Sequence, residues 1–352
     1  MGNKVFSSHH RLSPSISGDL AAAAASMDRW TGVVHVPLSR GGPLFRVAAS
    51  LVLSPAKTLA VPRANAILFT GDRVRGTGDP VIERLSDAAH IAAVIAGKLC
   101  GEINAWVVDA ACFAGPFAVY RELVPSVGTA GDPKGYDPTG FPAAAGVARI
   151  LAHGIAEIQN KLSGCSAKAS AVNQHPAASL SSYCPPRTII LGFSKGGVVV
   201  NQLVTELSCW ASESMKNLVD VSRSTPSDSK YNLLVSTSAS DVLSSVSEFH
   251  YVDVGLNCAG AYITNQAMIK KIGDYVLHTG QNLRFDLHGT PRKWSDPNRS
   301  WIQKEKDIML QLLQDEAQRC DGRLLLSQKM YFEGRPRSLL MHFEILEALD
   351  IS

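Results

Sequence analysis

Long apolar runs are missing from this chain. None approaches the ~18 consecutive apolar residues that a helical membrane span needs, so no transmembrane segment is expected. Charge of one sign is missing too. The chain carries 34 Lys and Arg against 31 Asp and Glu, a formal net charge of +3 over 352 residues. There is no basic run interleaved with aromatics, so nothing points to a nucleic-acid partner. Cysteine is sparse: seven residues, an odd number, with no C-x-x-C pair. That argues against a disulfide framework and for reduced, packed thiols. Cys165 and Cys184, which flank one loop, are the pair that a bridge would suit. Neither H-E-x-x-H nor G-x-x-x-x-G-K-[ST] occurs, and G-x-G-x-x-G does not follow the first strand of the alternating series. No metal and no cofactor are therefore expected.

What is present is an ordinary globular composition, 45% hydrophobic and 18% charged. It is enough for one deep core. Residues 1–28 are rich in Ser and Ala, with Lys4 and Arg11 ahead of the first acid, Asp19. Such a stretch suits either a weak organelle transit peptide or an unstructured tail. Gly2 would suit myristoylation, but position 6 is Phe6 instead of Ser or Thr. These residues by themselves leave an organelle or the cytoplasm as the expected location.

From residue 29 the chain reads as two short strands around Arg40-Gly41-Gly42-Pro43, an antiparallel hairpin. Apolar strand-like runs then alternate with helix-period segments. The strands are 65–72, 104–110, 188–194, 249–256, 283–289 and 324–334; the helices include 80–99, 143–162 and 196–210. This pattern predicts an α/β fold with a mostly parallel central sheet and helices on both faces. Residues 29–352 are expected to form one domain, with Ser- and Ala-rich surface insertions at 163–186 and 222–241.

The sharpest feature is Ile189 to Leu203, IILGFSKGGVVVNQL. A β-branched run stops at Gly192, and a helix pattern starts after Gly196, with Ser194 between them. A nucleophile needs that layout. A sharp turn lifts its hydroxyl clear of the sheet, the glycines relieve crowding, and the helix N-terminus offers N–H groups to an oxyanion. The plainer reading is a tight turn whose serine caps a helix.

A serine nucleophile needs a base and an acid on loops after later strands. Four histidines follow Ser194: His250, His278, His288 and His342. His342, beyond the last strand, is the expected base. Asp296, in the loop HGTPRKWSDPNRSW, is the expected acid, with Asp253 at the end of FHYVDVGL as the alternative. The oxyanion hole is expected from the backbone N–H groups of Lys195 and of Asp72, after the strand NAILFTGD. A carboxylate at 72 would oppose an oxyanion unless it were turned away or paired, with Arg73 and Arg75 at hand. Lys195 would either favour an anionic substrate or be a solvated side chain.

These segments resemble the α/β-hydrolase superfamily over most of the chain. GFSKGGVVVNQL, YVDVGLN, HGTPRKWSDPNRSWI and LLMHFEIL resemble the family of the human chromosome 2 open reading frame 69 protein, which is mitochondria-associated and hydrolase-like with no settled substrate. The resemblance implies an α/β-hydrolase-like fold and matches Ser194 and His342 to that family's serine and histidine. The expected function is a serine hydrolase of esterase or thioesterase type, acting on a small or medium acyl substrate at a rather open site. A hydrolase-fold protein that acts through a protein partner, without turnover, is the alternative; acyl transfer ranks third.

Overall fold

The structure, a computed structural model, describes residues 28–99, 101–165, 186–217 and 233–351. The tail at 1–27, Cys184 and most of both insertions lie outside the described residues.

The chain opens with β1 (Arg29–Pro37) and β2 (Leu44–Val52), followed by β3 (Ala64–Phe69), α1 (Pro80–Arg84), α2 (Ala88–Leu99) and β4 (Ile103–Val108). A small antiparallel pair follows, β5 (Cys112–Ala114) and β6 (Phe117–Val119), then α3 (Pro142–Cys165), β7 (Arg187–Phe193), a short 3-10 turn over Ser194–Gly196 and α4 (Gly197–Asn217). The rest is α5 (Ala239–Ser245), β8 (Val246–Val252), α6 (Gln266–Thr279), β9 (Leu283–Gly289), α7 (Pro291–Trp294), a 3-10 turn over Pro297–Arg299, α8 (Ser300–Arg319), β10 (Leu324–Met330) and α9 (Leu339–Ala348).

Eight strands form one sheet in the order β1-β2-β4-β3-β7-β8-β9-β10. β2 runs antiparallel to both its neighbours, and every other pairing is parallel. The apolar strands explain the arrangement. Every residue of β3 and β4 is buried, as a sheet covered on both faces requires. One core face packs under α3, α4, α6 and α8, the other under α2 and α9. This is the expected α/β-hydrolase fold with its antiparallel hairpin.

The topology also locates a crevice. The chain passes from β3 outward to β4 and then back across β3 to β7. The loops leaving β3 and β7 therefore diverge at a switch point, where open parallel sheets hold their ligands.

Two local readings change. The expected helix 80–99 is two helices, because Ser86 and Asp87 break it. Asp79 caps α1 through the N–H groups of Val81 and Ile82, and Asp87 accepts from His90 at the start of α2. The second expected insertion ends in an ordered helix: Ser238 and Asp241 form a reciprocal cap on α5.

Candidate active site

Ser194 follows β7 directly and adopts φ 55°, the left-handed region that a non-glycine residue rarely enters. Strain of this kind persists only where the surroundings fix it. Here the surroundings are tight. A Cβ on Gly196 would lie 2.0 Å from the Phe69 carbonyl oxygen, so the turn presses against the end of β3. A Cβ on Gly71 would lie 2.4 Å from Cβ of Ser194 and 3.2 Å from the Lys195 nitrogen. The loop after β3 thus passes over the serine, and only glycine permits that approach.

His342 lies in the first turn of α9, whose N-terminus is capped by Ser338. Its ring stacks on Phe193, with centroids 4.6 Å apart. Its Nδ1 donates to Asp253 Oδ2 at 2.5 Å. Asp253 is fully buried, follows β8 directly and has φ 45°. Thr290 fixes the carboxylate: its N–H and its Oγ1 both donate to Asp253 Oδ1, at 2.8 and 2.9 Å. The Asp253 N–H donates to the His288 carbonyl. With Nδ1–H committed to Asp253, Nε2 of His342 is left as the acceptor. Burial, and then the positive charge of Lys293, push His342 down to about 4, so the ring is neutral at pH 7.

Asp296, the expected acid, does not meet His342. Its carboxylate accepts from Asn298 N–H and from Arg299 Nε at 3.0 and 2.9 Å, capping its own 3-10 turn. The runner-up, Asp253, holds the histidine instead. Thr290 was missed in the sequence; its only signal there was its position one residue past the end of the LRFDLHG strand.

Of the loop after β3, it is Gly71, one residue before the expected Asp72, that meets Ser194 and the Lys195 nitrogen. Among the described residues, neither the Gly71 nor the Asp72 N–H has a hydrogen-bond acceptor. The Asp72 carboxylate turns away, accepting from Ala118 N–H at 2.8 Å. Its charge partner is Lys195, at 3.5 Å, and not Arg73 or Arg75. Arg73 instead lies over the Phe113 ring. Lys195 is no solvated cation either. It is buried, donates to the Ala130 carbonyl at 2.8 Å and lies 3.5 Å from Asp132. It ties the 130–132 loop to the elbow and presents no charge to a substrate.

A cleft of about 500 Å³ opens beside the elbow, lined by Gly71, Asp72, Arg75, Leu85, Phe193 and Phe343 among others. Ser194 and His342 are each only 6% exposed, so access to them is narrower than the open site expected. Ser194 and His342 form no hydrogen bond with each other in this state. Catalytic hydrogen bonds often tighten only around substrate.

Among the described residues, one group offers metal-ligating atoms close together: His250, Asp286 and His288, all buried. Its geometry is that of a hydrogen-bonded chain. His250 Nε2 meets Glu248 at 3.1 Å, its Nδ1 meets His288 Nε2 at 3.2 Å, and His288 Nδ1 meets the Tyr331 hydroxyl at 3.0 Å. The rings lie within 12° of parallel, with centroids 5.5 Å apart. That separation is the nitrogen–nitrogen distance plus one ring radius on each side. The two nitrogens therefore point at one another, whereas ligands of one ion aim at a common third point. Burial, followed by the neighbouring His250, pushes His288 down to about 3, which keeps it neutral within the chain.

Comparison with known proteins agrees with the sequence. Residues 151–318 match the model of the C2orf69 family, a stretch that includes Ser194 and Asp253 but stops before His342. The mitochondrial protein C2orf69 homolog of Danio rerio is 25% identical over 159 residues, which take in 45% of this chain and 36% of that protein. The matched stretch thus spans about a third of that relative's length. Solved structures with a similar chain course include a feruloyl esterase module of Clostridium thermocellum (11% identity, TM-score 0.39, 98% of this chain and 95% of that one). An IroE-like serine hydrolase of Shewanella oneidensis is 12% identical, with TM-score 0.41 over 91% and 78% of the two chains. A siderophore hydrolase of Aspergillus nidulans is 12% identical, with TM-score 0.38 over 98% and 100%. The chain therefore combines an α/β-hydrolase fold with sequence similarity to the C2orf69 family over residues 151–318.

Proposed function

We propose that this protein is a serine hydrolase of esterase or thioesterase type, with Ser194 as nucleophile, His342 as base and Asp253 as the acid that orients it. The observation that carries the reading is that two buried residues just past the ends of adjacent strands have strained backbones: Ser194 on the elbow, and Asp253, whose carboxylate holds Nδ1 of His342. Ser194 Oγ attacks the acyl carbon while its proton passes to His342 Nε2. The oxyanion takes hydrogen bonds from the N–H groups of Lys195 and of Gly71 or Asp72. The protonated imidazole then gives its proton to the departing alcohol or thiol. Water, deprotonated by the same nitrogen, releases the acid and restores the serine. Each oxyanion donor is worth roughly 10²–10³ in rate.

The test is hydrolysis of short-chain p-nitrophenyl esters and acyl thioesters by purified protein. Turnover lost in Ser194→Ala and His342→Ala, with the circular dichroism spectrum unchanged, supports the reading. Turnover that survives Ser194→Ala removes it.

The second reading, a hydrolase-fold protein acting through a partner, draws on one observation: Ser194 and His342 are not hydrogen-bonded. It predicts partner capture that survives Ser194→Ala and no acyl-enzyme. For location, the relative named as mitochondrial motivates a mitochondrial address for this chain. Fractionation of cells expressing the full chain, with and without residues 1–28, tests that. No helix among the described residues is long and apolar enough to cross a membrane.

A further inference from the structure

The cations around the triad fall into two groups. Lys195 is held by the Ala130 carbonyl, Asp72 and Asp132. Arg299 is paired with Asp296, and Arg337 reaches Ser295 O and Asp296. Lys293 and Arg292, consecutive on α7, are different. Lys293 is only 6% exposed, yet its ammonium makes no hydrogen bond or ion pair with any described residue. Arg292 forms no ion pair there either, and its Nε is buried without a hydrogen-bond partner.

Lys293 lies against the triad. Its Nζ is 3.3 Å from where a Cβ on Gly255 would stand, two residues beyond Asp253. The charges of Asp253 and, more weakly, of Asp72 favour its protonated form. An unpaired ammonium in such a place costs several kcal/mol of desolvation. A small anion arriving beside it would offset that cost.

We propose that Lys293, supported by Arg292, is an anion subsite beside the triad, and that the preferred substrate is an ester or thioester bearing a carboxylate or phosphate near its scissile bond. The inference rests on the serine-hydrolase reading for its substrate, and on the unpaired cations for its charge. It has a kinetic consequence. Lys293 is the largest electrostatic influence opposing protonation of His342. The base must gain a proton in the transition state, so an unanswered Lys293 holds the base back. An anionic group on the substrate cancels that charge and restores the histidine. The subsite thus selects the substrate through kcat as well as KM.

The experiment compares two esters of the same chain length: p-nitrophenyl hexanoate, which is neutral, and mono-p-nitrophenyl adipate, which carries a terminal carboxylate. Wild type is expected to favour the adipate at least about tenfold in kcat/KM, part of it in kcat. Lys293→Met should abolish the preference and, with it, the rise in KM for the adipate above pH 8, a pairing that lost packing alone does not produce. Lys293→Arg should keep the preference. If Lys293→Met does not fold, Arg292→Gln should weaken the preference by a smaller factor. Adipate and inorganic phosphate as competing inhibitors separate the two anion sources.

A binding arm keeps the subsite apart from the chemistry. In Ser194→Ala protein, calorimetry should show monomethyl adipate bound at least about tenfold more tightly than dimethyl adipate. Adding Lys293→Met should erase that difference. Binding that behaves so without any turnover upholds the subsite and removes the hydrolase reading. Equal handling of charged and neutral compounds by wild type, or a preference that survives Lys293→Met, overturns the subsite.

Discussion

Two loops leave neighbouring strands, and each carries an aspartate that sequence alone made a candidate acid. The loop after β8 holds Asp253; the loop after β9 holds Asp296. Asp253 is sealed from solvent, in a strained backbone, with one oxygen on His342 and the other on Thr290. Asp296 is partly exposed, with both oxygens committed to Asn298 and Arg299 within its own turn. An orienting acid needs a lone pair free for the histidine and a rigid mount. Asp253 has both. The loop after β9 contributes to the site differently, by lending Thr290 to hold Asp253 and Lys293 to charge its surroundings.

Substitutions that separate the two loops should break this comparison cleanly. Asp253→Asn is expected to lower kcat/KM for an activated ester by about 10⁴, because it removes the acceptor that sets the His342 tautomer. Steady-state kinetics checks this; a loss under tenfold contradicts it. Thr290→Val should cost less, about 10- to 100-fold, because a buried carboxylate loses a donor worth roughly 1–3 kcal/mol. An unchanged KM with lowered kcat would locate that loss in the chemistry. Asp296→Ala should leave kcat/KM within about threefold while removing a cap, at about 1 kcal/mol of stability. Urea denaturation measures that cost.

The pH profile sharpens the same contrast. As the proposed base His342 must be neutral, and its position near 4, set by burial and then by Lys293, lies below the ordinary value of 6.5. Activity should hold as pH falls through 6.5 and be lost only as pH approaches about 4. On the alkaline side, burial pushes Lys293 down to about 8, with Asp253 and Asp72 supporting its charge and Arg292 and Arg299 opposing it. KM for a carboxylate-bearing ester should rise above pH 8, while KM for a neutral ester should not. The kcat/KM profiles of wild type and Lys293→Met test both limbs.

The sequence made much of this legible, and the reason is local. GFSKG carries its own geometry: a strand that must stop, two glycines forced by crowding, and a helix that begins at once. The alternating strands and helices, each with its own period, made the sheet readable. His342 could be found because it follows the last strand. Asp253 and Asp296 could not be ranked, because both lie just past strand ends. What separates them is the register that sets Val252 beside His288 and so brings Thr290 under Asp253. Lys195 and Lys293 were opaque for the same reason. Whether a lysine next to a turn is solvated or buried depends on the loop packed against it, here residues 130–132 for the first and Gly255 for the second.

The most direct measurement is reaction of the folded protein with a fluorophosphonate, read by intact mass and peptide mapping, across wild type, Ser194→Ala, Asp253→Asn and Asp296→Asn. The account predicts one adduct on Ser194 in wild type and in Asp296→Asn at similar rates. Asp253→Asn should react far more slowly, and Ser194→Ala should form no adduct. No adduct on folded wild type, or slow labelling in Asp296→Asn with normal labelling in Asp253→Asn, would contradict it.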